Sequence, residues 1–449
     1  MQRTDCKIFM KYKTVCHILL FAGIVLLSYC GIAYYLGNSS GVGLIVVIAL
    51  ISLAIAFRGF LRLRGFSYTI LIFAAVALAM FYPAYFVNVG SFQLKSVIVP
   101  FVQLTMFGMG AHMSYSDFKA VIRMPKGVIV GICCHYIIMP LVGFTLSKLF
   151  AFRQEVAGGI VLIGCVPSAM ASNVMSYLAK ANLALAVTIG ACSTVVSPFV
   201  TPFMMKLLGG HYVKVDVIKM MVDITEMIII PIVAGFIFNL FYFGNTLKRA
   251  KVLQLIGFAL IIVITNFILF VHSGATWNEF YSSIVASVFW FYLVPMAAAI
   301  MFSKIRKITG FNIKQALSLV AMLGIVVNTV IITTSGRDNL LQVGGLLIIV
   351  CLLHNVAGFG IGYTIAKLLG LCESDRRTIA FEVGMQNGGV ATGLAFQMGK
   401  VATLGLASTI FGPLQNITGS ALANWFKNRI PTISQENVAA GDTLKEITT

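Results

Sequence analysis

The residues best suited to chemistry stand where a membrane segment should carry none. Phe381-Glu382-Val383-Gly384-Met385-Gln386-Asn387-Gly388-Gly389-Val390 places a carboxylate, two amides and three glycines inside an otherwise apolar run over 378–398. An ionisable group at membrane depth costs several kcal/mol unless it faces a cavity or a partner. Glycines there let a helix unwind, and the freed carbonyls can coordinate a cation. A second stretch answers the first: Gly164-Cys165-Val166-Pro167-Ser168-Ala169-Met170-Ala171-Ser172-Asn173 again puts helix breakers and an amide in mid-segment. Two interrupted apolar segments in corresponding parts of a chain point to a site that binds an ion and a solute.

The elements that must position these stretches are apolar helices. The chain has 449 residues, is 59% hydrophobic and only 10% charged, and so is a polytopic all-α membrane protein rather than a soluble domain. Apolar segments are expected over 15–36, 42–57, 67–87, 96–115, 128–150, 157–179 and 183–208. A second set covers 217–242, 253–273, 282–303, 314–336, 341–367, 378–398 and 402–426, making about fourteen transmembrane helices, seven in each half. The net charge of +18 does not indicate nucleic-acid binding, because the basic residues lie in short loops between apolar runs. Those loops alternate. Arg58, Arg62, Arg64, Lys119, Arg123, Lys126, Lys180, Arg376, Arg377, Lys427 and Arg429 fall on one side; Lys95, Arg153, Lys206, Lys214, Arg337 and Lys400 fall on the other. The positive-inside rule places both termini in the cytoplasm of a cell bounded by the plasma membrane. No cleavable signal is expected at the first apolar run, and the polar tail over 430–449 is expected to be disordered.

An internal repeat supports the division into halves. The stretch 134–149 aligns with 353–368, matching His135 with His354, Gly143 with Gly362, Thr145 with Thr364 and Lys148 with Lys367. A broken segment follows each copy, and an odd number of helices per half makes the halves inverted. The nine cysteines lie mostly in apolar runs without metal-ligand spacing. No nucleophile–base constellation points to an enzyme, and no cofactor is expected beyond a sodium ion. Asp223 and Glu226, three residues apart within 217–242, share a helical face; Glu226 is a further candidate for proton coupling.

Several of these motifs together resemble the bile acid:sodium symporter family. They are Gly164-Cys165-x-Pro167, Ala171-Ser172-Asn173-Val174-Met175-x-Tyr177-Leu178-Ala179, Ser193-Thr194 with Pro198 and Pro202, and Glu382-Val383-Gly384-Met385-Gln386-Asn387-x-Gly389. Phe107-Gly108-Met109-Gly110, Ser116-Asp117-Phe118 and Leu353-His354-Asn355 fit as well. The resemblance covers 96–242 and 313–426. It implies a secondary transporter of small organic anions, built on ten helices as two inverted five-helix repeats with a panel and a core. The chain then divides into extra transmembrane helices over 1–95, a first family-like region over 96–242, an inserted hairpin over 243–312, a second family-like region over 313–429 and the tail.

By the same resemblance, one sodium site maps onto Ser172, Asn173, Ala186, Gly190 and Glu382. A second maps onto His135, Glu382, Val383, Met385 and Gln386. Asn387, with glycines beside it, is expected from the residues themselves to line the site. Ala186 and Gly190 stand where the family carries hydroxyls, and His135 stands where it carries glutamine. Sodium is a hard cation that favours oxygen. The departures therefore raise a rival expectation of proton coupling through Glu382, His135 and Glu226 on the same scaffold. A membrane sensor that has lost transport is the other alternative. The partners implied are an organic anion and lipid; the residues do not indicate an oligomeric state.

Overall fold

A computed structural model describes residues 2–36, 41–60, 63–113, 122–243, 276–309 and 313–429, with scattered positions between 256 and 271. The expected segment over 253–273 falls largely outside the described residues; Ser116-Asp117-Phe118 and the tail over 430–449 fall wholly outside them. Among the described residues, seven helices are long and apolar enough to cross a membrane, and four further apolar helices are shorter.

The N-terminal part comprises α1 (Gln2–Tyr35), α2 (Val42–Phe57) and α3 (Ser67–Phe81), which pack in series. A two-residue-per-strand hairpin, β1 (Asn88–Val89) with β2 (Phe92–Gln93), leads into α4 (Ile98–His112). Next come α5 (Pro125–Leu149), α6 (Gln154–Cys165), α7 (Ala171–Leu178) and α8 (Leu183–Leu208). Then α9 (Val217–Ile224) runs through a π turn over Thr225–Ile229 into α10 (Ile230–Phe243). Beyond 275 follow α11 (Trp277–Val288), α12 (Val294–Thr309), α13 (Ile313–Ser335) and α14 (Arg337–Leu368), and then α15 (Glu373–Gly384), α16 (Gly388–Gln397) and α17 (Leu406–Lys427). The expected segments over 42–57 and 183–208 coincide with α2 and α8 end to end.

The helices form two packed groups. In one, α4 lies against α10 and α13, while α3 lies against α2 and α13, and α12 against α10. In the other, α5 packs on α6, α8, α14 and α15, and α17 packs on α6, α7 and α14. Without a hydrophobic drive between helices in lipid, close backbone packing at small residues holds such groups together. The α4–α10 crossing shows this at its limit. A Cβ on Gly110 would run into the Ile232 carbonyl oxygen, and one on Gly235 into that of Phe107.

Two segments expected to be broken are broken. Helix α6 stops at Cys165, ahead of Pro167, and α7 restarts at Ala171; helix α15 stops at Gly384 and α16 restarts at Gly388. Each first half is tied down at its outer end. Glu155, in the first turn of α6, pairs with Lys400 and accepts from the Thr403 hydroxyl at 2.6 Å. Its carboxyl is thereby held below the usual carboxylate range, chiefly by the hydrogen bond from Lys400. Arg377 in α15 is buried, bonded to Glu373 at 2.9 Å, and donates to the carbonyls of Ala179, Phe426 and Arg429 at 3.1, 3.0 and 2.8 Å. It thus satisfies carbonyl groups left over at the ends of α7 and α17, which a helix cannot pair internally.

Candidate functional site

The two breaks meet. Ser168 and Gln386 form an isolated antiparallel bridge, with Ala169 N–H donating to Met385 O at 3.1 Å and Asn387 N–H donating to Pro167 O at 2.9 Å. Unwound backbone at membrane depth is tolerated only when its polar groups find partners, and here each break supplies them to the other. Further partners come from neighbouring helices. Thr201 in α8 donates to Cys165 O at 2.7 Å, and Asn355 in α14 donates to Gly384 O at 2.8 Å.

Glu382 lies at this crossing and is fully buried. Its Oε1 accepts from the Ser172 hydroxyl at 2.6 Å and its Oε2 from the Ser168 hydroxyl at 2.7 Å. Two neutral hydroxyls do not balance a buried negative charge, whose desolvation is far costlier than such bonds recover. The carboxylate therefore requires a cation beside it or a proton on it. On the α8 side there is room: a Cβ built on Gly190 meets nothing nearer than Glu382 Oε2 at 3.7 Å. Ala186, one turn earlier on α8, is buried and brings no oxygen.

At the two breaks, among the described residues, two buried amide oxygens stand without a donor: Asn173 Oδ1, on the turn that carries Ser172, and Gln386 Oε1, on the segment that carries Glu382. An unpaired buried acceptor is expensive. With the Glu382 carboxylate, these atoms make an oxygen-only set of the kind a hard cation takes. By donor type these side chains could hold a sodium ion.

His135 in α5 is fully buried, and both its ring nitrogens face carbonyl oxygens, Nδ1 that of Glu382 at 2.8 Å and Nε2 that of Val166 at 2.9 Å. It therefore joins both breaks. A neutral imidazole has one N–H and can serve one carbonyl, whereas the imidazolium serves both. The other expected positions are also engaged. Val383 O accepts from Gln386 Nε2 at 2.8 Å, and Met385 O from Ala169. Asn387 Oδ1 accepts from Val390 N–H at 3.3 Å, capping α16. The crossing thus brings together Ser172, Glu382, Val383, Met385, Gln386, Asn387 and His135, with Asn173 beside Ser172. Glu226 sits in the π turn after α9, and its carbonyl accepts from Gln103 in α4 at 3.2 Å. Among the described residues no hydrogen bond or ion pair joins it to the crossing.

Sequence reasoning misses three contributors. Ser168 is visible only as part of a break, although it provides half of the Glu382 hydrogen bonding. Gln415 in α17 bonds the Gln386 peptide on both sides, at 2.7 and 3.0 Å, and Thr418 donates to Asn355 Oδ1. An amide one turn from a hydroxyl on an apolar helix is the available signal.

Paired broken helices, meeting at a buried acid inside a bundle of apolar helices, define the architecture of a secondary transporter. Comparison with known proteins narrows the class. The sodium bile acid symporter family profile matches residues 99–277. The chain is 30% identical over 367 residues to the uncharacterized sodium-dependent transporter YocS of Bacillus subtilis, covering 82% of this chain and 92% of that protein. It is 26% identical over 328 residues to the probable chloroplastic sodium/metabolite cotransporter BASS1 of Arabidopsis thaliana, covering 73% and 66%. It is 27% identical over 302 residues to the human ileal sodium/bile acid cotransporter, covering 67% and 69%. The chain belongs to the sodium bile acid symporter family and is an integral membrane protein.

Proposed function

We propose that the protein is a secondary active transporter that moves a small organic anion across the plasma membrane together with sodium, by alternating access at the crossing of the two broken helices. The observation that carries this reading is Glu382, buried between two serine hydroxyls with the donor-less oxygens of Asn173 and Gln386 close by in the chain. Glu382, Ser172, Asn173 and Gln386 would hold the sodium. The N-termini of α7 and α16 begin at the breaks and offer partial positive charge to an anion. Asn387, which caps α16, would lie beside that anion. The sodium-dependent relatives support the ion, and the bile acid and metabolite relatives support an anionic cargo.

A second reading, coupling to protons, is favoured by one observation: only a protonated His135 satisfies both carbonyls that it faces. Uptake of labelled organic anions into proteoliposomes, with sodium and pH gradients imposed separately, decides between the two. Sodium-driven uptake supports the first reading. Uptake driven by a pH gradient without sodium replaces it with the second.

The missing oxygens supply a further expectation. Restoring His135→Gln, Ala186→Ser and Gly190→Thr together should raise apparent sodium affinity by about tenfold, the lower end of what ligand-shell changes do. A Cβ at Gly190 meets nothing nearer than Glu382 Oε2 at 3.7 Å. An unchanged sodium dependence in the triple variant would remove Ala186 and Gly190 from the ion path.

The proposed organisation is an inverted seven-plus-seven scaffold with both termini in the cytoplasm. The helices of 1–95 and the hairpin of 243–312 would enlarge the panel around α4, α10 and α13. The packing of α2 on α3 and of α12 on α10 supports this. Substituted-cysteine labelling should find 58–66 on the cytoplasmic side and 37–41 and 88–95 outside, as the basic residues indicate. External labelling of 58–66 would overturn the arrangement.

A further inference from the structure

We propose that Gln415 is a positioning residue for the ion site, setting the direction of Gln386 without itself facing the ion. The inference rests on the reading of the crossing as a sodium site. Peptide groups at the α15–α16 break are served partly by side chains, as at the carbonyls of Glu382, Val383 and Gly384, and partly by backbone. Met385 O takes the Ala169 N–H, and the Asn387 N–H gives to Pro167 O. The Gln386 N–H is served instead by a side chain, donating to Gln415 Oε1 at 2.7 Å, while Gln415 Nε2 donates back to Gln386 O at 3.0 Å. One amide thus grips both sides of one residue, as a neighbouring strand would, and fixes the backbone from which the Gln386 side chain leaves.

The consequence lies in that side chain. Gln386 Nε2 is committed to Val383 O at 2.8 Å, so its Oε1 remains, fully buried and without a donor. A buried amide oxygen left in this way is costly until a donor or a cation comes to it. Gln415 is itself buried, with both amide atoms consumed by the Gln386 peptide. Three residues on, Thr418 donates to Asn355 Oδ1, and Asn355 Nδ2 holds Gly384 O. One face of α17 therefore clamps the break at two points, and Gln415 is the point next to the donor-less oxygen.

The experiment compares wild type, Gln415→Leu and Gln415→Glu as purified full-length protein. The leucine removes both bonds at similar volume; the glutamate keeps an acceptor for the Gln386 N–H. Two quantities are read: the sodium-induced rise in melting temperature, which follows the ion's affinity for the folded state, and the sodium concentration for half-maximal uptake in proteoliposomes. Outer-shell partners of an ion site are worth about ten- to a hundredfold in affinity, so Gln415→Leu should raise half-maximal sodium by that factor and move the sodium range of the melting response upward by the same factor. The maximal rate at saturating sodium should be kept, and Gln415→Glu should fall between the two. If Gln415→Leu does not fold, Gln415→Glu alone carries the test, and its half-maximal sodium must still rise. A variant that lowers the melting temperature without sodium, yet keeps the wild-type sodium response, makes Gln415 merely structural and overturns the inference. A wild type with no sodium response at all overturns the sodium reading instead.

Discussion

Replacing Glu382 by Gln is expected to abolish ion-coupled uptake while leaving the protein folded and in the membrane. The amide keeps the shape of the carboxyl group, and its oxygen can still accept from Ser168 or Ser172. What it loses is the charge, and with it the reason for a cation or proton to enter the crossing. Burying a neutral amide costs much less than burying a carboxylate, so stability should hold or rise. The loss in gradient-driven uptake should exceed about a hundredfold, the upper end of what outer-shell partners contribute to ion sites. Vesicle uptake alongside detergent melting checks both halves of the expectation. Undiminished gradient-driven uptake by Glu382→Gln would take the residue out of the mechanism.

The second large effect is structural. Gly110→Val in α4 should prevent or severely weaken the α4–α10 crossing, because its Cβ would fall on the Ile232 carbonyl. Overpacking of well-packed interiors usually costs about 1–3 kcal/mol. Here the obstacle is backbone rather than a movable side chain, so the upper end or beyond is expected. Gly345, in the exposed part of α14, supplies the control. Nothing lies within 4 Å of a Cβ built there, so Gly345→Ala should hold or raise stability, by up to about 1 kcal/mol, since Ala is the better residue inside a helix. Fluorescence-detected melting of the two variants separates them. A Gly110→Val protein that melts like wild type would mean that α4 and α10 do not pack as described.

Much of this site is legible in the amino-acid sequence itself. Glu382 stands out because a carboxylate in an apolar run needs a reason, and the two breaks stand out because proline and glycine interrupt a helix between apolar halves. Hydropathy alone also places α2 and α8 at their ends. What is not legible is pairing across the sequence. Nothing local to Ser168 says that its hydroxyl, and not only that of Ser172, reaches Glu382. Nothing local to Gln415 says which of several helices it faces. His135 is visible as a departure from glutamine, but its grip on both Val166 O and Glu382 O arises from where α5 passes the two breaks. Asn387 is expected to line the site, and its side-chain oxygen caps α16. That use follows from the helix restarting at Gly388, a local rule applied at an unusual depth.

The arrangement also bears on how such a site can work. The inner ends of both broken helices are bonded to each other, and their outer halves are anchored through Glu155 to Lys400 and through Arg377 to three carbonyls. A cation entering beside Glu382 would touch side chains from both breaks, so its binding would tighten one unit rather than one helix. The group formed by α4, α10 and α13 meets the other through α4 on α16, α13 on α17 and Met227 of the π turn set against Gly393 in α16. Relative motion of the two groups around a fixed crossing is the form that alternating access takes in folds of this kind.

Direct sodium binding to purified protein tests the central claim most closely, because it needs no knowledge of the substrate. Radioactive sodium binding to wild type, Glu382→Gln and Gly345→Ala, measured at constant ionic strength with potassium as the replacing ion, should show saturable binding to wild type and Gly345→Ala and none to Glu382→Gln. Saturable sodium binding that survives unchanged in Glu382→Gln would contradict the account, since the ion would then be held somewhere other than the crossing of the two broken helices.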